Sequence, residues 1–195
     1  MKNIIKYVII GIVLAVLIVS YFIYLQKNPA TSKTNDTSTQ MSELDKVLAK
    51  DFSKDYPSTP REVVKWYNWI LMLYYSEELD EGELDSLTSQ AMALFDMDLI
   101  ENNPKEIYMT SVKAEIDDYK DKGRKLVTAD VADSEDVVYE TVRGDDMAYI
   151  VGHYFVKENT SYSDTYQKYV LRKDADGKWK ILGYQLCDQY GDLLK

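Results

Sequence analysis

The run KWYNWILMLYY at residues 65–75 holds two of the chain's three tryptophans and three of its seventeen tyrosines. Such rings could wall a binding box or fill a core, because each carries a large apolar area and tyrosine adds a hydroxyl that seeks a partner when buried. At 100° per residue, Val63, Tyr67, Ile70 and Tyr74 form the centre of one helix face, with Trp66 and Leu73 on its flank. Trp69, Met72 and Tyr75 fall on the sides and back with Lys65 and Asn68, where a surface helix would be polar. Apolar groups nearly all round predict a helix enclosed from two sides, so the run reads as core. Any pocket beside it would be lined by Tyr67, Ile70 and Tyr74, with Tyr154 and Trp179 added from later in the chain.

Other reactive residue types are sparse. The lone histidine, His153, lies between Gly152 and Tyr154, and with no second histidine it cannot build a multi-histidine metal site. Pairing it with the lone cysteine, Cys187, as a nucleophilic dyad would require the two to meet across at least one intervening strand. Asp130, Asp133, Asp136, Asp145 and Asp174 fall at expected strand ends or turns, within reach of water, and not among apolar strand residues. Asp174-Ala175-Asp176-Gly177 begins like a calcium loop but lacks the third ligand and the distant glutamate of an EF-hand, so a hairpin turn accounts for it. Arg143-Gly144-Asp145 matches an adhesion tripeptide, yet Gly-Asp is also ordinary turn chemistry. No catalytic residue, metal site or cofactor is expected.

The elements that would hold these residues begin outside the soluble part. Residues 7–25, YVIIGIVLAVLIVSYFIYL, contain no charge, and nineteen helical residues span roughly the 30 Å of a bilayer's hydrocarbon. The run ends in Tyr21, Phe22, Tyr24 and Leu25, which suit an interfacial aromatic belt and not the small residues of a signal-peptidase site. Lys2 and Lys6 precede it, so the expectation is a signal-anchor: residues 1–27 form a cytoplasmic stub and single-pass transmembrane helix, and the rest is extracytoplasmic. Residues 28–42, rich in Thr, Ser and Asn, read as a flexible linker, and residues 43–195 as the folded domain. The first 27 residues carry three lysines and no acid, leaving 20 basic against 33 acidic side chains in the remainder. Nucleic acid is thereby excluded as a partner, since phosphate binding needs a basic stripe.

Within the domain, SELDKVLAKDF from Ser42 is a short helical segment. Three longer helices follow. The first runs over residues 60–77, announced by the capping box of Thr59 and Glu62 with Pro60 at the first helical position. A second carries Leu84, Leu87, Ala91 and Leu94, with Phe95 and Met97 near its end. A third opens at Asn103-Pro104, shows Tyr108, Val112, Ile116 and Tyr119 on one face, and stops at Gly123. Thereafter the period changes to two, predicting five strands at about 125–131, 136–142, 147–157, 165–173 and 178–186 in an antiparallel meander. Helices followed by a meander make the fold class α+β.

This order, with the ending DGKWKILGYQ, resembles the cystatin-like cone fold of the nuclear transport factor two superfamily, in which a curved sheet wraps a long first helix. TPREVV followed by Tyr67-Asn68, then LFDMDLIENNP, IDDYKDKGRK and LRKDADGKWKI, together resemble an uncharacterised family of membrane-anchored proteins of Gram-positive gut bacteria. The resemblance implies fold and anchoring and no chemistry. The resulting expectation is a membrane-anchored, non-catalytic domain that binds a small apolar ligand in its cone or another cell-surface protein. The alternative is a small-molecule enzyme of the ketosteroid isomerase-like type, which would need a carboxylate in a dry pocket.

Overall fold

The computed structural model describes residues 41–194. The expected anchor at residues 7–25 and nearly all of the linker lie outside them. Among the described residues no helix is long and apolar enough to cross a membrane. Five helices precede the sheet: α1 (Glu43–Leu48), α2 (Pro60–Ser76), α3 (Glu81–Ala93), α4 (Met97–Asn102) and α5 (Lys105–Asp121). The strands are β1 (Arg124–Val131), β2 (Val138–Val142), β3 (Asp145–Glu158), β4 (Ser161–Lys173) and β5 (Trp179–Cys187).

Local capping explains where the helices start. Thr59 Oγ1 accepts from Glu62 N at 3.2 Å, and the Glu62 carboxylate accepts from the backbone of Ser58 and Thr59, closing the box ahead of Pro60. Ser42 with Asp45 and Asp80 with Glu83 repeat the device for α1 and α3. α5 stops at Gly123, whose φ of +60° suits glycine, and whose missing Cβ would lie 2.8 Å from Asn159 Oδ1.

Three helices were expected after the first short segment, and the structure corrects this to four. α3 ends at Ala93, and α4 is a separate helix capped by Asp96, so Met97 opens a new element and does not close the old one. The cause is tertiary: residues 94–96 are drawn out along β5. Phe95 forms a parallel bridge to Ile181, Ile181 N donates to Leu94 O at 2.9 Å, and Asp96 N donates to Ile181 O at 2.8 Å. Extended backbone there covers part of the otherwise open edge of β5.

The sheet is antiparallel, and the five strands agree with the expected segments to within a few residues, but the meander needs a second correction. β1 does not pair with β2. Both pair with β3 along one edge, β1 opposite residues 152–158 and β2 opposite residues 145–149. β3 has fourteen residues, about 45 Å of strand, enough to hold two short strands end to end. Between them a 3-10 turn (Ser134–Asp136) carries the chain onward in the same direction, while Arg61 Nε donates to Ala132 O at 2.8 Å. β2 then turns into β3 through Arg143 and Gly144, with φ of 56° and 97°, as a two-residue hairpin with both positions left-handed requires. β3, β4 and β5 continue in sequence order.

α2 lies across the inner face of this sheet and contacts β1, β3 and β5, with α3 and α5 on its other side. Val63, Val64, Tyr67, Asn68, Ile70, Leu73 and Tyr74 are buried on it. Enclosure from two sides is the physical reason that its sequence is apolar nearly all round, although Trp69 remains half exposed.

Candidate functional site

Between α2, α5 and the inner face of the sheet is a cavity of about 220 Å³. α2 contributes Tyr67, Leu71 and Tyr75, and α5 contributes Tyr108, Ser111, Val112, Glu115 and Tyr119. The α2 residues recur every four positions and the α5 residues follow the i, i+3, i+4, i+7, i+11 pattern of one helix face, so each set forms a single stripe down its helix. The sheet closes the far side with Leu126, Tyr154, Val156, Thr165, Gln167 and Tyr184. Six tyrosines therefore stand around one small space.

Four of their hydroxyls are hydrogen-bonded, in two groups. Tyr67 Oη lies 3.3 Å from Tyr108 Oη and donates to Tyr184 Oη at 3.4 Å. Deeper in, Tyr154 donates to Asn68 Oδ1 at 2.8 Å and so accepts from Tyr169, whose hydroxyl is also 3.1 Å from Gln167 Oε1. Asn68 is anchored in turn by donating from Nδ2 to Asp130 O at 3.2 Å. Gly152 makes room for the tyrosine pair: a Cβ there would sit 2.9 Å from Tyr154 Oη and 3.1 Å from Tyr169 Cε2. Burial, first among the causes, pushes the phenols of Tyr67, Tyr108, Tyr154 and Tyr169 well above their ordinary range. They remain protonated at physiological pH.

Asn68 is only 1% exposed, and its loss strands two polar groups. Asn68→Leu is expected to cost about 1–3 kcal/mol, because the Tyr154 hydroxyl and the Asp130 carbonyl lose their partner in a buried setting. A lowered midpoint in urea unfolding with an unchanged slope would register it; an unchanged midpoint would mean that water replaces the amide.

The five residues expected to line a pocket divide. Tyr67 and Tyr154 are on the cavity wall. Ile70 is fully enclosed in the core and Tyr74 sits farther along α2, facing a separate depression of about 230 Å³ bounded by Leu84, Lys113 and Ile116. The Tyr74 and Thr88 hydroxyls are buried without a hydrogen-bond partner; burial pushes the Tyr74 phenol up to about 12. Trp179 is elsewhere, at the start of β5, packed near Tyr139 (5.7 Å between rings) and under Lys173 (4.7 Å). Tyr56 donates to its carbonyl at 2.8 Å.

Tyr75, Tyr108, Glu115, Tyr119, Gln167 and Tyr184 were not among the expected lining residues. The face of α5 that carries Tyr108, Val112 and Tyr119 was legible as a stripe, but not what it would face. Tyr184 was hidden by a bulge: Val170 pairs with Gly183 and Leu171 with Ile181, so Leu182 is the extra residue. A one-residue insertion reverses the side-chain phase, and Tyr184 turns inward to lie 6.0 Å from the Tyr67 ring.

His153 is on the opposite face of the sheet, stacked on Tyr166 at 4.7 Å with Nε2 2.6 Å from Asp164 Oδ1. Tyr166 occupies the register position between His153 and Cys187, and Cys187 is buried beside the returning Leu193. The two are not brought together. Among the described residues no group of three His, Cys, Asp or Glu side chains is placed to hold a metal ion. That outer face also carries a broader groove of about 840 Å³, bounded by Glu135, Asp136, Glu140, Lys168 and Tyr190. Its rim is mostly solvent-exposed side chains, with Tyr190 81% exposed, and it lacks the enclosed hydroxyl network that distinguishes the inner cavity.

Comparison with known proteins gives one family: the model described as Domain of unknown function (DUF6715) matches residues 1–184. No curated protein matches the chain.

Proposed function

From the premise that the chain belongs to this family, we propose that it is a membrane-anchored extracytoplasmic binding protein whose cone-like domain holds a small molecule in the tyrosine-walled cavity. Anchoring rests on the uncharged run at residues 7–25, with Lys2 and Lys6 before it keeping the N-terminus in the cytoplasm. The polar stretch of residues 28–42 would let the domain stand off the bilayer.

The observation that carries the reading is the enclosure of about 220 Å³ by six tyrosines between α2, α5 and the sheet. That volume lies above the ~150 Å³ that accepts a benzene and below the ~300 Å³ where drug-sized pockets begin. Metabolite-sized ligands fit it. Binding without turnover is favoured because the one carboxylate on the wall, Glu115, is exposed at the rim, whereas acid–base catalysis of the isomerase type uses a carboxylate enclosed in an apolar site. The buried phenols, held protonated, are poor proton donors and cannot serve as bases at physiological pH.

Ser111 is exposed and stands on the cavity wall, so Ser111→Trp would plug the space from its solvent side. In a ligand-observed NMR screen of small organic fragments against the full chain in maltoside, hits are expected for the native protein and absent for Ser111→Trp. Hits that survive the plug would place binding elsewhere.

A further inference from the structure

The charge on the cavity wall is one-sided. No Lys, Arg or His lines it, and its one acidic side chain is Glu115. We propose that the ligand of this cavity is a small organic cation, an alkylammonium of about choline's size, held between tyrosine rings and Glu115. This rests on the small-molecule reading above.

Four observations point to it. Glu115 has no basic partner among the described residues: the nearby Lys113 is bound to Glu81 at 3.1 Å and Lys122 to Asp118 at 2.6 Å. An unpaired carboxylate at the mouth of an aromatic cavity leaves a place for a positive group. Arg124, 6.0 Å from the Tyr119 ring, does not fill that place, since it is bound to Glu158 and Asp118. Second, Glu115 lies close to the rings: its charge, after burial, is the leading cause of the raised phenol pKa of both Tyr75 and Tyr119. Those two rings stack at 4.2 Å and 21°.

Third, the hydroxyl protons of two wall tyrosines are committed. Tyr67 donates to Tyr184 and Tyr154 to Asn68, so the network offers oxygen lone pairs and ring π-density more readily than donors. An anion would meet no counter-charge, while a cation meets the negative side of aromatic quadrupoles, the arrangement that recognises quaternary ammonium groups. Fourth, the chain's net charge of −10 attracts cations to its surface in general.

The test uses choline and 3,3-dimethylbutan-1-ol, its uncharged counterpart with carbon in place of nitrogen, titrated calorimetrically into the full chain in maltoside. Choline is expected to bind at least tenfold more tightly than the alcohol. Glu115→Gln should remove most of that preference, weakening choline several-fold and leaving the alcohol unchanged; the residue is exposed, and an unchanged thermal midpoint would confirm that the fold is intact. Equal or tighter binding of the alcohol would overturn the cation assignment and leave the small-molecule reading standing. Binding of neither, while other fragments bind in a manner blocked by Ser111→Trp, would have the same consequence. If no ligand binds, both readings fall.

Discussion

Asp96→Ala is expected to destabilise the folded domain by about 3–5 kcal/mol, the range for removing one partner of a buried ion pair. Asp96 is 3% exposed and its carboxylate serves two ends at once. Its oxygens accept from Arg172, Nε at 3.0 Å with Nη2 beside it, and Oδ1 also accepts from Asp98 N at 2.9 Å to cap α4. Its backbone N–H is tied to Ile181 O, so this one residue joins the α3–α4 corner to β4 and β5. Hydrogen bonding to Asp96 is the leading cause of a raised Arg172 pKa; without that partner the guanidinium still stays charged, because arginine is intrinsically a very weak acid. Asp98 at 2.9 Å and Asp145 at 3.8 Å would retain part of the charge balance. Urea unfolding of Asp96→Ala measures the loss, and the double variant Asp96→Ala with Arg172→Met should recover part of it, because no stranded charge remains. A loss below about 1 kcal/mol would show that the pair behaves like an exposed surface bridge.

Ile70→Ala is expected to cost about 2–5 kcal/mol, the range for deleting a large aliphatic side chain from a closed core. Ile70 is fully buried on α2, between the sheet and the neighbouring helices, where surrounding rings limit how far the space can collapse. Sequence periodicity assigned it with Tyr67 to a pocket lining; the structure assigns it to packing. The two roles give different results. As packing, the substitution lowers the unfolding midpoint while cavity ligands bind the remaining folded protein with unchanged affinity. A variant with native stability and altered ligand affinity would return Ile70 to the wall.

Much of the fold was legible in the sequence because its signals are local. The capping box of Thr59 and Glu62 uses groups three residues apart, and the structure forms it as expected. Arg143-Gly144 and Asp174-Ala175-Asp176-Gly177 are turns for similarly local reasons: left-handed backbone at Arg143, Gly144 and Gly177, and the Asp174 carboxylate accepting from the N–H groups of Asp176 and Lys178. The apolar circumference of residues 65–75 correctly implied a helix covered on two sides. α4 was not legible, because nothing local in Leu94-Phe95-Asp96 says that these residues will extend along β5.

The candidate site divides along the same line. By itself the sequence determined which residues are aromatic, which helix stripes they occupy and where the chain turns, since all of these depend on neighbours within a few residues. Only the tertiary structure decided which stripes face one another. The bulge at Leu182 turned Tyr184 inward. The packing of α5 across α2 and the sheet brought Tyr108, Glu115 and Tyr119 to the same cavity as Tyr67 and Tyr154. Strand register and helix docking are set by pairings between residues far apart in the chain, so the tyrosine cage and its unpaired carboxylate exist only once those distant partners have met.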